Sequence, residues 1–509
     1  MANLYVLILA IIVIVLLTVS ISRIHTVKTK ADFLVAGRSL PAYVLVFTLL
    51  SSWIGAGSLF AGAENAFRNG FPALWQPAGG WAGLLIIYFV APRARKFAQY
   101  TVPDLLETRY NSTARVLGTI AILFAFTGIT SYQFKGGGDI LHLATGISNT
   151  TGMYIIAGFV IVFTAVAGMS SVAYLDVVIG LLITVTCFIS VPMLMTKVGG
   201  WAGMHQALPA DRFGILGHLT LTRALEFFFP TFLLMLGNQA MYQKFFSAKT
   251  AKDARIAVVG WIVGTLILET LIVAIAVIGS ALFLHNPELA SKPRETIPFV
   301  ARHGLPPFVG ALLMGAVFAK VISTANNYLF SPATNLVNDV YLRFVNKEAP
   351  QKKILLVSRV LVILLGLFAL LQGAYWESIL AMMLYAYTIY SAAITPVVMS
   401  AFFWKRATAA GAVVSILMGT AVTVFWNLCQ VVASSVASGQ LHGGGFVGAF
   451  LSVWSQIPQG WRDRDAIFPA LIISVASLIV VSLVTAAPRR EQWAPFFAEE
   501  KATTQSASF

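Results

Sequence analysis

Residues 51–58 read Ser51-Ser52-Trp53-Ile54-Gly55-Ala56-Gly57-Ser58 and lie in the middle of the apolar stretch 41–66. Two glycines and three serines are poor material for a continuous helix. Glycine costs about 1 kcal/mol relative to alanine in a helix interior, and serine hydroxyls compete for backbone groups. The segment suits an unwound stretch whose carbonyls line a polar site, which a membrane tolerates only where protein buries it or a cavity faces it. Five apolar stretches later, 225–243 carries Pro230 and then Gly237-Asn238-Gln239. Two interrupted spans five apart are what an inverted five-plus-five repeat predicts. Taken singly, either segment reads equally well as a small-residue packing surface. Their matched places in two halves favour a transporter.

Outward from these two segments, thirteen apolar stretches are legible: 3–22, 41–66, 71–92, 116–145, 151–169, 171–196, 225–243, 256–284, 303–341, 354–374, 377–403, 408–430 and 466–487. The stretch 303–341 is too long for one straight span and predicts an extension or a bend. The first stretch lacks a charged start and is too long for the apolar region of a signal peptide. Hydrophobic residues make up 58% of the 509 and charged residues 11%, with a mean hydropathy of +0.82. A soluble chain carries roughly 25% charge. Composition therefore predicts a polytopic all-α membrane protein and excludes disorder, a collagen-like fibre and a disulfide scaffold. The only cysteines, Cys187 and Cys429, sit in apolar runs and offer neither a disulfide framework nor metal-ligand spacing.

The net charge of +14 resembles a nucleic-acid signal, but topology accounts for it. With the N-terminus outside, more than twice as many Lys and Arg fall in cytoplasmic segments as in outer ones, counting Lys244 among the former. That bias predicts an outer N-terminus and a cytoplasmic C-terminus in a bacterial inner membrane, the positive face meeting anionic lipid and no nucleic acid. Lys135 and Lys320 remain inside predicted spans. Each costs about 2.5–3.5 kcal/mol at the bilayer centre and needs a partner or a purpose. Asp139 lies one turn after Lys135, so an i, i+4 ion pair accounts for it. Gly136-Gly137-Gly138 between them would let a ligand or a helix approach the backbone closely.

Six further stretches carry a family resemblance: ADFLVAGRSLP (31–41), YTVPDLLETRYNS (100–112), SSVAYLDV (170–177), MYQKFFSAKTAKDAR (241–255), STANNYLFSPATNLVNDVY (323–341) and FFWKRATAAGA (402–412). In this order and orientation the chain resembles the sodium:solute symporter family, along nearly its whole length. The resemblance implies a LeuT-like fold with thirteen transmembrane helices and alternating access around a central site. It divides the chain into an extra span and loop (1–40), a first inverted repeat (41–196), a second (225–403), and extra spans with a tail (404–509). It also implies a sodium site built from carbonyls at Ser51 and Ile54, the hydroxyls of Ser323 and Thr324, one carbonyl three residues before that pair, and Asp176 nearby. Sodium is a hard cation, and five neutral oxygens beside a carboxylate suit it. Without the family, Ser323 and Thr324 read as hydroxyls bonded back to the preceding turn.

One position departs from the pattern. The residue three before the hydroxyl pair is Lys320 where relatives carry a small one. Lys320, Ser323 and Thr324 fall at i, i+3 and i+4, on one helix face. Three readings stay open. Lys320 pairs with Asp176 and stands in for sodium, making transport sodium-independent or proton-coupled. It binds a substrate carboxylate. Or it snorkels to the cytoplasmic edge and sodium binds as usual. Lys135 has a second reading by resemblance, as a carboxylate-binding cation like the basic residue of sialic acid transporters. Trp53, Ser58, Gln76, Tyr132, Asn238 and Gln239 complete the expected substrate lining, since buried amides and hydroxyls orient a polar solute; for each, helix packing is the plainer account. Tyr385, Tyr387 and Tyr390 read as core.

The expected function is a symporter for a small polar solute, an organic anion or a zwitterion, with no cofactor beyond Na+ or H+ as coupling ion. Alternatives are an ordinary sodium symporter and, from another class, a transporter-like sensor. The short stretch after the last span is too small for a signalling domain. No enzyme motif is present. Oligomeric state is open, and the Gly- and Ser-rich outer segment 430–465 reads as a lid or re-entrant piece.

Overall fold

The computed structural model describes residues 2–23, 29–97, 99–166, 169–375, 378–439 and 445–497. Parts of the expected first loop (24–28), outer segment (440–444) and tail (498–509) lie outside the described residues. The described chain is helical, with one isolated bridge between Leu40 and Ala248.

The helices are α1 (Ala2–Arg23), α2 (Ala42–Trp53), α3 (Gly57–Asn69), α4 (Trp75–Phe97), α5 (Val102–Arg109), α6 (Ser112–Thr145), α7 (Asn149–Val166), α8 (Met169–Val198), α9 (Leu221–Gly237), α10 (Gln239–Ser247), α11 (Ala251–Phe283), α12 (Pro307–Asn335), α13 (Gln351–Tyr375), α14 (Ile379–Ala393), α15 (Thr395–Phe403), α16 (Ala409–Ala437), α17 (Gly445–Ser455) and α18 (Ile467–Val484). Among the described residues, ten helices are long and apolar enough to cross a bilayer, and the pair α2–α3, bent by 55°, brings the number to eleven. The expected thirteen would require α1 and the pair α9–α10 to cross as well.

The break at 51–58 falls where the sequence predicts it. Ile54 leaves the helix with φ −83° and ψ 109°, and the chain restarts at Gly57 in a π-helical turn. Gly55 is required by a close approach, because a Cβ there would lie 2.6 Å from Thr324 Cγ2 on α12. In the second half the break lies at Asn238, with φ −58° and ψ 112°. Pro230 stays inside α9, its carbonyl accepting from Ser391 Oγ at 3.0 Å. The long stretch 303–341 resolves as α12 capped by Pro306, continuing in a π-helical segment Leu336–Val345. In the outer segment α16 runs on to Ala437, and α17 folds back onto it through a Trp426–Trp454 edge contact of 4.9 Å.

Six of the helix packings fall into exchanged pairs. The α2–α3 unit packs on α11, and α9 packs on α4; α8 packs on α12, and α6 on α14; α2 packs on α8, and α9 on α14. An extensive seam joins α6 and α12, which bury nearly every side chain of their central turns. The three glycines of α6 serve helix packing: Gly136 meets Ala56, Gly137 meets Ile156 and Gly138 meets the backbone of Met153.

Candidate functional site

The two breaks face a core of buried polar side chains. At the first, Thr324 Oγ1 lies 2.8 Å from Ser51 O, 3.0 Å from Ile54 O and 2.9 Å from Lys320 O. A hydroxyl has one proton to donate, so the two carbonyls at the unwound end, Ser51 O and Ile54 O, compete for it, while Lys320 O lies within the continuous α12. Lys320 Nζ, wholly buried, donates to Ser51 Oγ at 2.8 Å. Ser323 Oγ donates to Asp176 Oδ1, and Thr48 Oγ1 donates to Asp176 Oδ2 at 2.5 Å. The expected six ion-site residues, Ser51, Ile54, Asp176, Lys320, Ser323 and Thr324, are thus brought together from α2, α8 and α12. The expected Lys320–Asp176 pairing is not a direct ion pair among the described residues. Hydroxyls take both carboxylate oxygens and the ammonium faces Ser51.

A second buried lysine was missed by sequence reasoning. Lys244, assigned above to a cytoplasmic segment, is 1% exposed on α10 and donates to Asn327 Oδ1 at 2.7 Å. Asn327 Nδ2 in turn donates to Ser323 O at 3.0 Å. Lys244 lies six residues beyond the break at Asn238. A helix restarting there stays inside the protein for its first turns, and that was the available signal.

On the other side of the same break, Trp53 Nε1 and Ser58 Oγ both donate to Glu269 Oε1, each at 3.0 Å. Glu269 is buried in mid-α11, and its Oε2 has no hydrogen-bond partner among the described residues. Trp53 stacks on Tyr387, with centroids 6.4 Å apart and planes 28° from parallel. A Cβ on Gly57 would lie 3.1 Å from Tyr387 Oη and 3.4 Å from Tyr132 Oη. Gln76 Nε2 reaches Met383 Sδ at 3.6 Å, while its Oε1 is unpartnered. Trp53, Ser58, Gln76 and Tyr132 therefore converge as expected, and Glu269, Met383 and Tyr387 join them. Gln133, also unanticipated, accepts from the Ala56 N–H at 2.7 Å and satisfies the unwound backbone.

Asn238 and Gln239 hold the second break. Asn238 Oδ1 caps α10 through Ala240 N at 2.9 Å, and its Nδ2 donates to Tyr328 Oη at 2.9 Å. Tyr390 Oη donates to Gly237 O at 2.7 Å and accepts from Gln239 N at 2.9 Å. Gln239 Oε1 accepts from Val102 N, so this side chain ties α10 to α5. Tyr387 and Tyr390, expected as core, are buried but serve the two breaks. Lys135 lies elsewhere: with Asp139, Asn149 and Arg294 it lines a separate pocket of about 470 Å³. Asp139 accepts from Arg294 Nε at 2.8 Å and from Asn149 Nδ2 at 2.6 Å.

A charged latch closes one end of the bundle. Arg115 bonds Asp339 at 2.7 Å, Asp104 at 3.1 Å and Glu107, and Arg343 adds a bond to Glu107 at 2.8 Å. Burial pushes the Glu107 carboxyl up, but the Ser112 hydroxyl, Arg115 and Arg343 outweigh it and hold the acid below its ordinary value.

Two interrupted helices around a buried polar centre, inside a bundle of apolar helices, define a membrane transporter with discontinuous core helices. The profile of the sodium:solute symporter family matches residues 33–419, and the chain belongs to that family. It is 27% identical over 419 residues to the high-affinity proline transporter PutP of Bacillus subtilis (strain 168), covering 78% of this chain and 86% of that one. To the sodium/proline symporter of Salmonella typhimurium (strain LT2) it is 26% identical over 487 residues, covering 91% and 90%. Among solved structures, a substrate-bound, outward-open Na+-coupled sialic acid symporter superposes with a TM-score of 0.77 at 17% identity, over 96% of this chain and 99% of that one. Mhp1, a nucleobase-cation-symport-1 family transporter in a closed conformation, gives 0.55 at 12% identity, over 92% and 99%. These neighbours have the LeuT fold. Membership implies a multi-pass membrane protein that moves a small-molecule substrate by alternating access with Na+ coupling.

Proposed function

We propose that this chain is a symporter for a small polar solute in which the Lys320 ammonium stands in for sodium at the main ion site. Transport is then sodium-independent at that site or coupled to protons. The carrying observation is the wholly buried ammonium, 2.8 Å from Ser51 Oγ and on the residue whose carbonyl belongs to the oxygen cluster. Charge supports it. Asp176 is the buried acid bonded directly into this cluster, against Lys320 and Lys244. A sodium ion there would leave two net positive charges in a buried site, repelling by several kcal/mol at low effective dielectric.

A second reading, ordinary sodium coupling, is favoured by the two unwound-end carbonyls at Thr324 Oγ1, more oxygens than one proton satisfies. Thermal unfolding in sodium against potassium at equal ionic strength separates the two, for wild type and Lys320→Ala. A ligand that binds only the folded state stabilises by RT ln(1 + [L]/Kd). We expect wild type to be indifferent and the alanine variant to gain a sodium-dependent shift. Stabilisation of wild type by sodium overturns the stand-in reading.

The exchanged packings of α2–α3 with α11 and of α9 with α4 support inverted repeats over 41–196 and 225–403. With α1 and α9–α10 crossing, thirteen spans would put the termini on opposite faces, and the Lys and Arg bias supports an outer N-terminus and a cytoplasmic C-terminus. The substrate reading narrows to a zwitterion rather than a simple anion, because Lys135 lies in a separate pocket, Lys320 is engaged by Ser51, and a carboxylate stands at the substrate side of the break.

A further inference from the structure

We infer that Glu269 is a specificity-determining residue whose free carboxylate oxygen takes an N–H bond from a protonated amine on the transported solute. This inference rests on the symporter reading and narrows it. Trp53 Nε1 and Ser58 Oγ both converge on Oε1, leaving Oε2 buried and without a hydrogen bond among the described residues, with the unpartnered Trp81 Nε1 beside the carboxyl. Among the described residues no Lys, Arg or His pairs with Glu269; the ion pairs lie elsewhere, on Glu64, Asp104, Glu107, Asp139, Asp211, Glu226, Glu295 and Asp339.

No charged group satisfies this carboxyl from within. The groups that face it, Trp53 Nε1, Ser58 Oγ and the otherwise unpartnered Trp81 Nε1, are neutral donors. A buried carboxylate without a counter-charge is costly. An ammonium removes the deficit by supplying both the proton donor and the counter-charge. The surroundings suit one. The stacked Trp53 and Tyr387 rings present faces that attract cations. Ser58 is the partly exposed member of the group, so the group is reached from the unwound segment. The placement is built into the helices, since Gly260 and Gly264 on α11 let Val46 and Leu50 of α2 lie directly against the turns before Glu269. A quaternary ammonium has no N–H and would leave Oε2 bare, so the class is a primary or secondary amine.

The test uses full-length purified protein and matched probes that differ in replacing nitrogen by oxygen: L-alanine and L-lactate, L-proline and tetrahydrofuran-2-carboxylate, ethanolamine and ethylene glycol. Thermal unfolding is followed with each probe, for wild type and Glu269→Gln. We expect at least one amine to stabilise wild type, its oxygen counterpart to need at least tenfold more, and Glu269→Gln to erase the difference. The wild-type comparison alone decides the matter if the variant does not fold. Equal action of an amine and its counterpart overturns the inference, as does an amine effect that survives in Glu269→Gln. If no amine acts, the inference falls; the symporter reading survives if an oxygen counterpart stabilises, and loses its support if none does.

Discussion

The charge argument at the ion site makes a quantitative demand on Asp176. Its two oxygens accept from Thr48 and Ser323, and the i, i+3 spacing of Lys320 and Ser323 places the ammonium-bearing residue beside it. The ammonium bonds Ser51 and not the carboxylate, so the two charges lie beyond ion-pair contact. For a separation on the order of 6 Å and an effective dielectric of about 20, opposite unit charges attract by about 3 kcal/mol. Asp176→Asn keeps the shape, and both hydroxyls can still bond the amide, so the lost quantity is charge. Removing one partner of a buried charge set typically costs 3–5 kcal/mol, because the remaining charges are stranded. We therefore expect Asp176→Asn to destabilise by about 3–5 kcal/mol in a sodium-free SDS-unfolding titration. Lys320→Met should cost less, since Asp176 keeps Lys244. The double variant should be more stable than the two single costs imply, by about 2 kcal/mol. A parallel cycle with Lys244→Met apportions the carboxylate between the lysines. Additivity within about 0.5 kcal/mol, the usual result for independent sites, refutes the reasoning. Coupling to Lys244 alone would leave Lys320 without a counter-charge and end its role as an ion substitute.

Gly55→Ala should cost about 1–3 kcal/mol by overpacking and abolish solute uptake into proteoliposomes, because its Cβ meets Thr324 at 2.6 Å; normal uptake would show that the break does not need this contact. Gln133→Ala should lower stability by about 1–3 kcal/mol, the cost of an orphaned buried N–H at Ala56, whereas a surface-like change within about 0.5 kcal/mol would mean another group satisfies it. The latch should weaken with acid. Glu107 has a folded value below its ordinary one, so its contribution is complete at neutral pH and is lost as pH falls through the depressed folded value. Wild type should then melt above Glu107→Gln at pH 7, with the gap closing only in the acid range below ordinary carboxylates; a constant gap would remove charge from the account.

The fold was legible because membrane helices announce themselves. Apolar stretches, the charge bias and two interrupted spans suffice for an architecture that superposes on a solved symporter with a TM-score of 0.77. The ion side of the break was legible too, since Ser51, Lys320, Ser323 and Thr324 lie on two segments of recognisable pattern. Residues whose role depends on a third helix were not. Glu269 reads in the sequence as one acid in an apolar run, and only the approach of α11 to α2 gives it Trp53 and Ser58. Lys244 followed a long apolar stretch and so looked like a flanking cation, until the Asn238 break turned its helix inward. Lys135 failed in the opposite sense: it lies within α6 as the sequence predicts, but it lines a pocket away from the break. Pro230 misled for a local reason, because a proline inside a helix is tolerated where neighbouring helices re-satisfy the backbone, and α9 runs on past it to Gly237.

The segment 51–58 joins the two halves of the site. Its first residue holds Lys320 through a side chain and Thr324 through a carbonyl; its last holds Glu269. Between them lie two turns of backbone, with Ile54 out of the helix and Ala56 satisfied by Gln133. Such a strip is a poor place for independent sites. A solute that takes Oε2 competes with or reinforces the bond from Ser58, and so acts on the residues that also carry Ser51 O and Ile54 O. An ion or ammonium that takes those carbonyls acts on Ser58 in return. Linkage requires the effect to be equal in both directions when expressed as binding free energy. The unwound stretch that first suggested a transporter is therefore also the part of the chain through which ion occupancy and solute occupancy act on one another.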